Sequence, residues 1–153
     1  MNIDKRPQLG FRVVGHELDG SEVCCTGRQT ALLLQKLNEL HTGTVWYASD
    51  LVWSTGVVGE PGTPMYLGDE VKTVEVLSGI DQFFSGILLG FEKRNLPKNF
   101  KAKHFTEDMP YSENEGALFE VRLFDTTYFE VYFSDAKFAN KFISTVRCDL
   151  INH

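Results

Sequence analysis

Residues 119–133 read FEVRLFDTTYFEVYF and hold the clearest structural pattern in the chain. Apolar residues at every second position, before and after the loop at 125–127, are typical of two strands joined in a hairpin. A three-residue loop pairs residue 124 with 128, so 123 lies opposite 129, 121 opposite 131 and 119 opposite 133. The pairs Arg122–Glu130 and Glu120–Tyr132 then share the other face. A slip by one residue would mix the two faces, so the pattern predicts this register.

The hairpin is followed by a predicted helix. Phe138, Phe142 and Val146 recur every four residues, which places them on one helical face, and Ser134 or Asp135 is positioned to cap the helix. A hairpin followed by a helix indicates a sheet that is at least partly antiparallel.

Two more helices are predicted upstream. Thr26 and Gln29 have the spacing of a capping box, and leucines at 33, 34, 37 and 40 form one face of a helix over 28–41. A shorter helix over 69–80, capped by Asp69, is favoured over a strand that its valines would also suit. Strands are predicted near 11–14, over 44–53 and over 82–92, and residues 93–116 read as irregular. In one uninterrupted strand, Trp46 and Trp53 lie on opposite faces.

These elements predict a single α+β domain over 1–153. We expect a largely antiparallel sheet of about five strands, with two or three helices packed on it and the C-terminal hairpin followed by a helix.

The chain is 42% hydrophobic, which excludes a disordered chain, and its net charge of −6 argues against nucleic-acid binding by bulk charge. Residues 39–92 hold one lysine and eight acids, whereas 93–104 hold five basic residues and no acid.

The sequence predicts a cytoplasmic protein with no membrane span. Its start has no apolar signal region, and its longest charge-free apolar run, near 82–91, is too short to cross a bilayer as a helix. Cys24, Cys25 and Cys148 form no C-x-x-C pattern, which favours reduced thiols. For the adjacent pair, the simpler interpretation is an inert pair with one thiol in the core and the other facing outward.

No catalytic motif is present. The chain lacks the phosphate-loop and dinucleotide fingerprints, the G-x-S-x-G elbow and the H-E-x-x-H metal pattern, so we expect no catalytic residue, cofactor or metal site. Two alternatives stay open. One is a small enzyme or small-molecule-binding domain with a pocket near Cys24 and Cys25; the other is RNA binding through the basic stretch 93–104.

Two segments carry a resemblance. LFDTTYFEVY at 123–132 and QFFSGI at 82–87 resemble small bacterial α+β proteins of the immunity type, which neutralise polymorphic or contact-dependent toxins. The resemblance implies a protein partner and assigns no residue a role.

We therefore expect a non-catalytic binding module whose partner is a protein, for example a cationic toxin domain; the oligomeric state is left open. An acidic surface favours association with such a partner. The residues predicted to form this surface are Glu120, Arg122, Asp125, Tyr128, Glu130 and Tyr132 of the hairpin, and Glu107, Asp108, Glu113 and Glu115 of the preceding loop.

Overall fold

The computed structural model describes residues 9–53, 56–58 (backbone only), 64–96, 106, 116–124 and 127–151. These residues form four helices, a short 3-10 turn at Lys93–Asn95 and eight strands. The strands are β1 (Leu9–Val13), β2 (Thr44–Trp53), β3 (Gly56–Val58), β4 (Met65–Gly68), β5 (Phe83–Glu92), β6 (Ala117–Phe124), β7 (Tyr128–Phe133) and β8 (Asp149–Leu150), and the helices are α1 (His16–Asp19), α2 (Gly27–Leu40), α3 (Glu70–Ser78) and α4 (Ala136–Ile143).

All strands pair antiparallel in one sheet, which confirms the α+β class. The order is β3-β2-β5-β6-β7-β1-β8, and β4 pairs with β2 next to β3. The hairpin register is the one expected, with residue 123 opposite 129, 121 opposite 131 and 119 opposite 133. The alternating apolar pattern of β6 and β7 was therefore sufficient to fix their pairing.

The sheet has two buried faces of different character. We call the one that contacts α2, α3 and α4 the helix-packed face; Phe119, Val121 and Leu123 of β6 meet the leucines of α2 and Phe142 of α4 there. The alternate residues form the opposite face, where Val45, Ile87, Leu89 and Phe91 make a second apolar cluster. β5 is buried on both faces, as its continuous apolar run predicted.

Helix α2 begins at the predicted capping box. Thr26 Oγ1 accepts from the Gln29 backbone N–H over 3.1 Å, and Gln29 Oε1 accepts from the Thr26 backbone N–H over 3.1 Å. Leu33, Leu34 and Leu37 are fully buried on the helix-packed face. Asp69 caps α3 and Asp135 caps α4, each by accepting a backbone N–H two or three residues on.

Thr26→Ala is expected to lower the free energy of unfolding by about 1 kcal/mol, because the first turn of α2 loses its side-chain acceptor. Urea unfolding followed by circular dichroism measures the change. Thr42→Ala is the matched control, since Thr42 is exposed just beyond the end of α2. Equal stability of the two variants would contradict a stabilising role for the cap.

The expectation that Trp46 and Trp53 face opposite ways is wrong. The pairing of β2 with β5 shifts between Ser49 and Val52, and Asp50 between them has a φ of 51°. This bulge adds one residue to β2 and reverses the alternation beyond it. Both indoles consequently contact the helix-packed core, with Trp46 fully buried and Trp53 half-buried.

The element counts also differ from expectation, since the described part of the chain alone holds eight strands rather than about five and four helices rather than two or three. The additional strands β3, β4 and β8 are only two to four residues long, and α1 has four residues. These strands are held in place by pairing with β2 or β1. Because their sequences are so short, they show too little periodicity to be predicted.

Candidate functional site

Charged side chains are buried at the centre of the opposite face. Arg122 of β6 is fully buried and Glu120 is only 3% exposed. The Arg122 guanidinium donates from Nε to Glu120 Oε2 over 2.9 Å and from Nη1 to the Thr106 carbonyl over 2.9 Å. Hydrogen bonds between charged groups are stronger than neutral ones, and they offset part of the cost of removing both charges from water.

Thr106 is held on this face by β2. Its backbone N–H and its hydroxyl both donate to Asp50 Oδ2 over 2.8 Å. Asp50 is the residue with left-handed backbone in the β2 bulge, a conformation that aspartate tolerates better than most residues. The bulge therefore anchors residue 106, and residue 106 in turn accepts from the arginine of β6.

The charged row continues across β7 to β1. The Tyr132 hydroxyl donates to Glu130 Oε1 over 2.9 Å, and Arg12 Nη2 lies 3.8 Å from Glu130 Oε2. The Arg12 guanidinium also stacks over the Tyr128 ring, 4.0 Å from its centroid. Burial, reinforced by the Glu130 carboxylate, raises the pKa of the Tyr132 phenol well above its usual range, so this hydroxyl remains a donor.

The structure places the predicted hairpin surface only partly at the protein surface. Glu120, Arg122 and Tyr132 are buried, whereas Tyr128 and Glu130 are half-buried. The buried three hold the sheet together rather than facing a partner. The remaining predicted partner-binding residues, Asp125, Glu107, Asp108, Glu113 and Glu115, lie outside the described residues.

The structure also shows where some residues of the two alternative sites lie, the basic stretch for RNA binding and the cysteine pair for a pocket. Within the basic stretch 93–104, Lys93 and Arg94 are exposed in the 3-10 turn, and Lys98, Lys101 and Lys103 lie outside the described residues. Cys24 and Cys25 are both buried, which corrects the expectation that one thiol faces outward. Their sulfur atoms lie 3.1 Å apart without a covalent bond.

A groove between α2 and α3 is the feature that sequence reasoning missed. It has a volume of about 680 Å³ and is open to solvent. Val71 on its α3 wall is 76% exposed, the largest exposed fraction among the large hydrophobic side chains of the described residues. The lining residues are Gln35, Asn38, Glu39 and Thr42 from α2 and the turn after it, and Glu70, Val71 and Val74 from α3.

The charge of this groove is negative. Glu39 and Glu70 are its two charged lining residues. The Glu70 carboxylate also accepts from the backbone N–H groups of Gly43 and Thr44 over 2.6 and 3.1 Å, and it thereby holds the start of β2. The excess of acids over 39–92 was the available sequence signal, but only the packing of α2 on α3 shows where a concave surface forms.

The described part of the chain brings together no group of three or more histidine, cysteine, aspartate or glutamate side chains able to hold a metal ion. None of its helices has the length and apolar character needed to cross a membrane. Comparisons with protein-family models, curated protein sequences and solved structures found no match.

Proposed function

We propose that the protein is a non-catalytic protein-binding module that docks a basic partner in the groove between α2 and α3. The observation that carries the proposal is Val71, an exposed apolar side chain beside Glu39 and Glu70 in a concave surface. Exposed apolar surface edged by polar groups is typical of protein interaction sites. The specific form we propose is an immunity protein that neutralises a cationic toxin domain.

Electrostatics supports a cationic partner. Five of the seven residues that line the groove lie within 39–92, the region that carries one lysine and eight acids, and the lining residues include two carboxylates and no cation. Opposite charge on two surfaces raises the association rate and discriminates against wrong partners. An inhibitor of a toxin that acts on nucleic acid or another polyanion would gain from this complementarity, because such active sites are basic.

The apolar part of the groove supplies the expected anchor. Interfaces depend on a few well-packed residues at their centre, surrounded by polar groups that exclude water. Val71 and Val74 provide the apolar centre, while Gln35, Asn38 and Thr42 provide hydrogen-bonding groups around it. The half-buried Tyr128 and Glu130 of the hairpin offer a smaller surface, because their neighbours Glu120, Arg122 and Tyr132 are buried.

The test starts by recovering the partner from host lysate with the immobilised protein, followed by affinity measurements with variants. Val71→Asp is expected to raise the Kd by about 30-fold or more, because it places a carboxylate at the apolar centre of the groove. Glu39→Lys is expected to slow association by roughly tenfold at low salt. In a growth assay with the partner expressed as a toxin, Val71→Asp should fail to protect cells.

Matched controls are available on another surface. Val23→Asp and Glu22→Lys make the same changes at exposed positions before α2, where Val23 is 51% exposed. Both controls should bind like the unaltered protein. If Val71→Asp and Glu39→Lys bind equally well, the groove is not the interface. If the recovered partner is an acidic protein or RNA, the proposed function is wrong.

A further inference from the structure

The vicinal thiols of Cys24 and Cys25 make an unusual contact. Their sulfur atoms are 3.1 Å apart, and both side chains are buried between α1, α2 and the end of the β6–β7 hairpin. Cys24 is 4% exposed and Cys25 is fully buried. Two reduced thiols whose sulfur atoms are in contact are positioned to form a disulfide within one chain, so no second protein molecule is needed.

We propose that Cys24 and Cys25 form a peroxide-reactive dithiol that closes to an intramolecular vicinal disulfide. The site is a modification site for a hydroperoxide, and it is independent of the proposed binding function. The contact between the two sulfur atoms supports this proposal, as does the position of the Cys25 sulfur next to two carbonyl oxygens of the hairpin.

The chemistry balances with hydrogen peroxide as the oxidant. The Cys24 thiolate attacks one peroxide oxygen, the O–O bond breaks, and the departing hydroxide takes up a proton to become water. The resulting sulfenic acid is attacked by the Cys25 sulfur; the S–S bond forms, the S–O bond breaks, and the second water leaves with the Cys25 proton. Two thiols lose two electrons in total, and one peroxide gains them.

Cys24 is a better first nucleophile than Cys148, and it is slightly more exposed than the fully buried Cys25. The hydrogen bond from Cys25, joined by one from the Gly15 backbone, lowers the pKa of the Cys24 thiol, although burial and the Asp19 carboxylate oppose this. Burial and the Asp149 carboxylate raise the pKa of Cys148. Peroxide reacts with the thiolate form, so we expect Cys24 to react before Cys148. Residues 21–24 lie outside any helix or strand, and Glu22 and Val23 are exposed, so this segment is the side from which peroxide can approach Cys24.

Oxidation would be transmitted to the hairpin. The Cys25 thiol lies 3.4 Å from the Phe124 carbonyl and 3.3 Å from the Tyr128 carbonyl, the last residue of β6 and the first of β7. The single Cys25 thiol proton can be donated to the Cys24 sulfur or to one of these two carbonyls, whereas a disulfide has no S–H group to donate. We expect the oxidised protein to exchange backbone hydrogens faster around residues 124–128 than the reduced protein.

The experiment uses the folded protein carrying Cys148→Ser, which leaves the vicinal pair as the only thiols. The protein is treated with hydrogen peroxide, the peroxide is removed with catalase, and remaining thiols are alkylated in guanidinium chloride. The expected product is a monomer lighter by two hydrogens that takes up no alkylating group and regains both thiols after reduction. Fragmentation should assign the bond to the peptide that contains residues 24 and 25.

Two further variants make the test decisive. With Cys25→Ser added, Cys24 should accumulate as a sulfenic acid that reacts with dimedone, and exchange near 124–128 should not respond to peroxide. With Cys24→Ser instead, peroxide should leave Cys25 largely unreacted. Two alkylated thiols after peroxide treatment, or disulfide-linked dimers in place of the internal bond, would overturn the proposal. So would a disulfide that forms only when the protein is first unfolded.

Discussion

Glu120→Ala is expected to lower the free energy of unfolding by about 3–5 kcal/mol, because it leaves the Arg122 guanidinium buried without its carboxylate. The arginine is fully buried, and its Nε hydrogen bond to Glu120 is 2.9 Å long. The cost comes mainly from the charge that remains in a poorly solvating environment. Urea unfolding followed by tryptophan fluorescence measures the loss.

A double variant separates charge from packing. Glu120→Leu combined with Arg122→Met removes both charges and keeps most of the side-chain volume, so it should be clearly more stable than Glu120→Ala. Glu22→Ala, at an exposed position, should leave stability within about 0.5 kcal/mol of the parent. A double variant no more stable than Glu120→Ala would show that the buried charge is not the source of the loss.

Gly27→Ala is expected to lower the free energy of unfolding by about 3 kcal/mol, although alanine is normally the better helix former. Gly27 begins α2, and a Cβ at this position would collide with the carbonyl oxygens of Leu77 and Ile80 at the end of α3. Backbone carbonyls cannot move aside as a flexible side chain can. Relief requires the start of α2 and the end of α3 to move apart.

Gly79→Ala is the matched control for this prediction. Gly79 lies just beyond α3 with a φ of −81°, and the nearest atom to a Cβ there is the Val76 carbonyl oxygen at 3.6 Å. The change should therefore be neutral or stabilise the protein by up to about 1 kcal/mol, through a less flexible unfolded chain. Gly27→Ala should lower the thermal unfolding temperature, whereas Gly79→Ala should leave it unchanged or raise it. An equal decrease for both variants would contradict the proposed collision.

Local pattern predicted the elements that are long enough to show a period. The alternation in β6 and β7 fixed their register, and the leucine spacing and capping box located α2. The short strands β3, β4 and β8 could not be predicted in this way, because neighbouring strands hold them rather than their own sequence. The β2 bulge was equally hidden, since no glycine marks it and an aspartate adopts the left-handed conformation.

The candidate site was harder to predict than the fold. Charge suggested that Glu120 and Arg122 face solvent, but Thr106 and the bulge at Asp50 bring partners to them from distant parts of the chain. Such burial depends on long-range packing that periodicity does not report. The groove likewise needs two helices that are separated by β2, β3 and β4 in sequence, so only the excess of acids pointed toward that region.

The short outer strands have a consequence for how the protein behaves at high concentration. The ten-residue β2 would offer a long row of unpaired backbone groups, but β3 and β4 cover it in two pieces. On the far side, the two-residue β8 covers the middle of β1. Among the described residues, the sheet thus ends in strands of two to four residues. Edges this short make poor templates for another chain to extend, which protects the protein from fibrous aggregation.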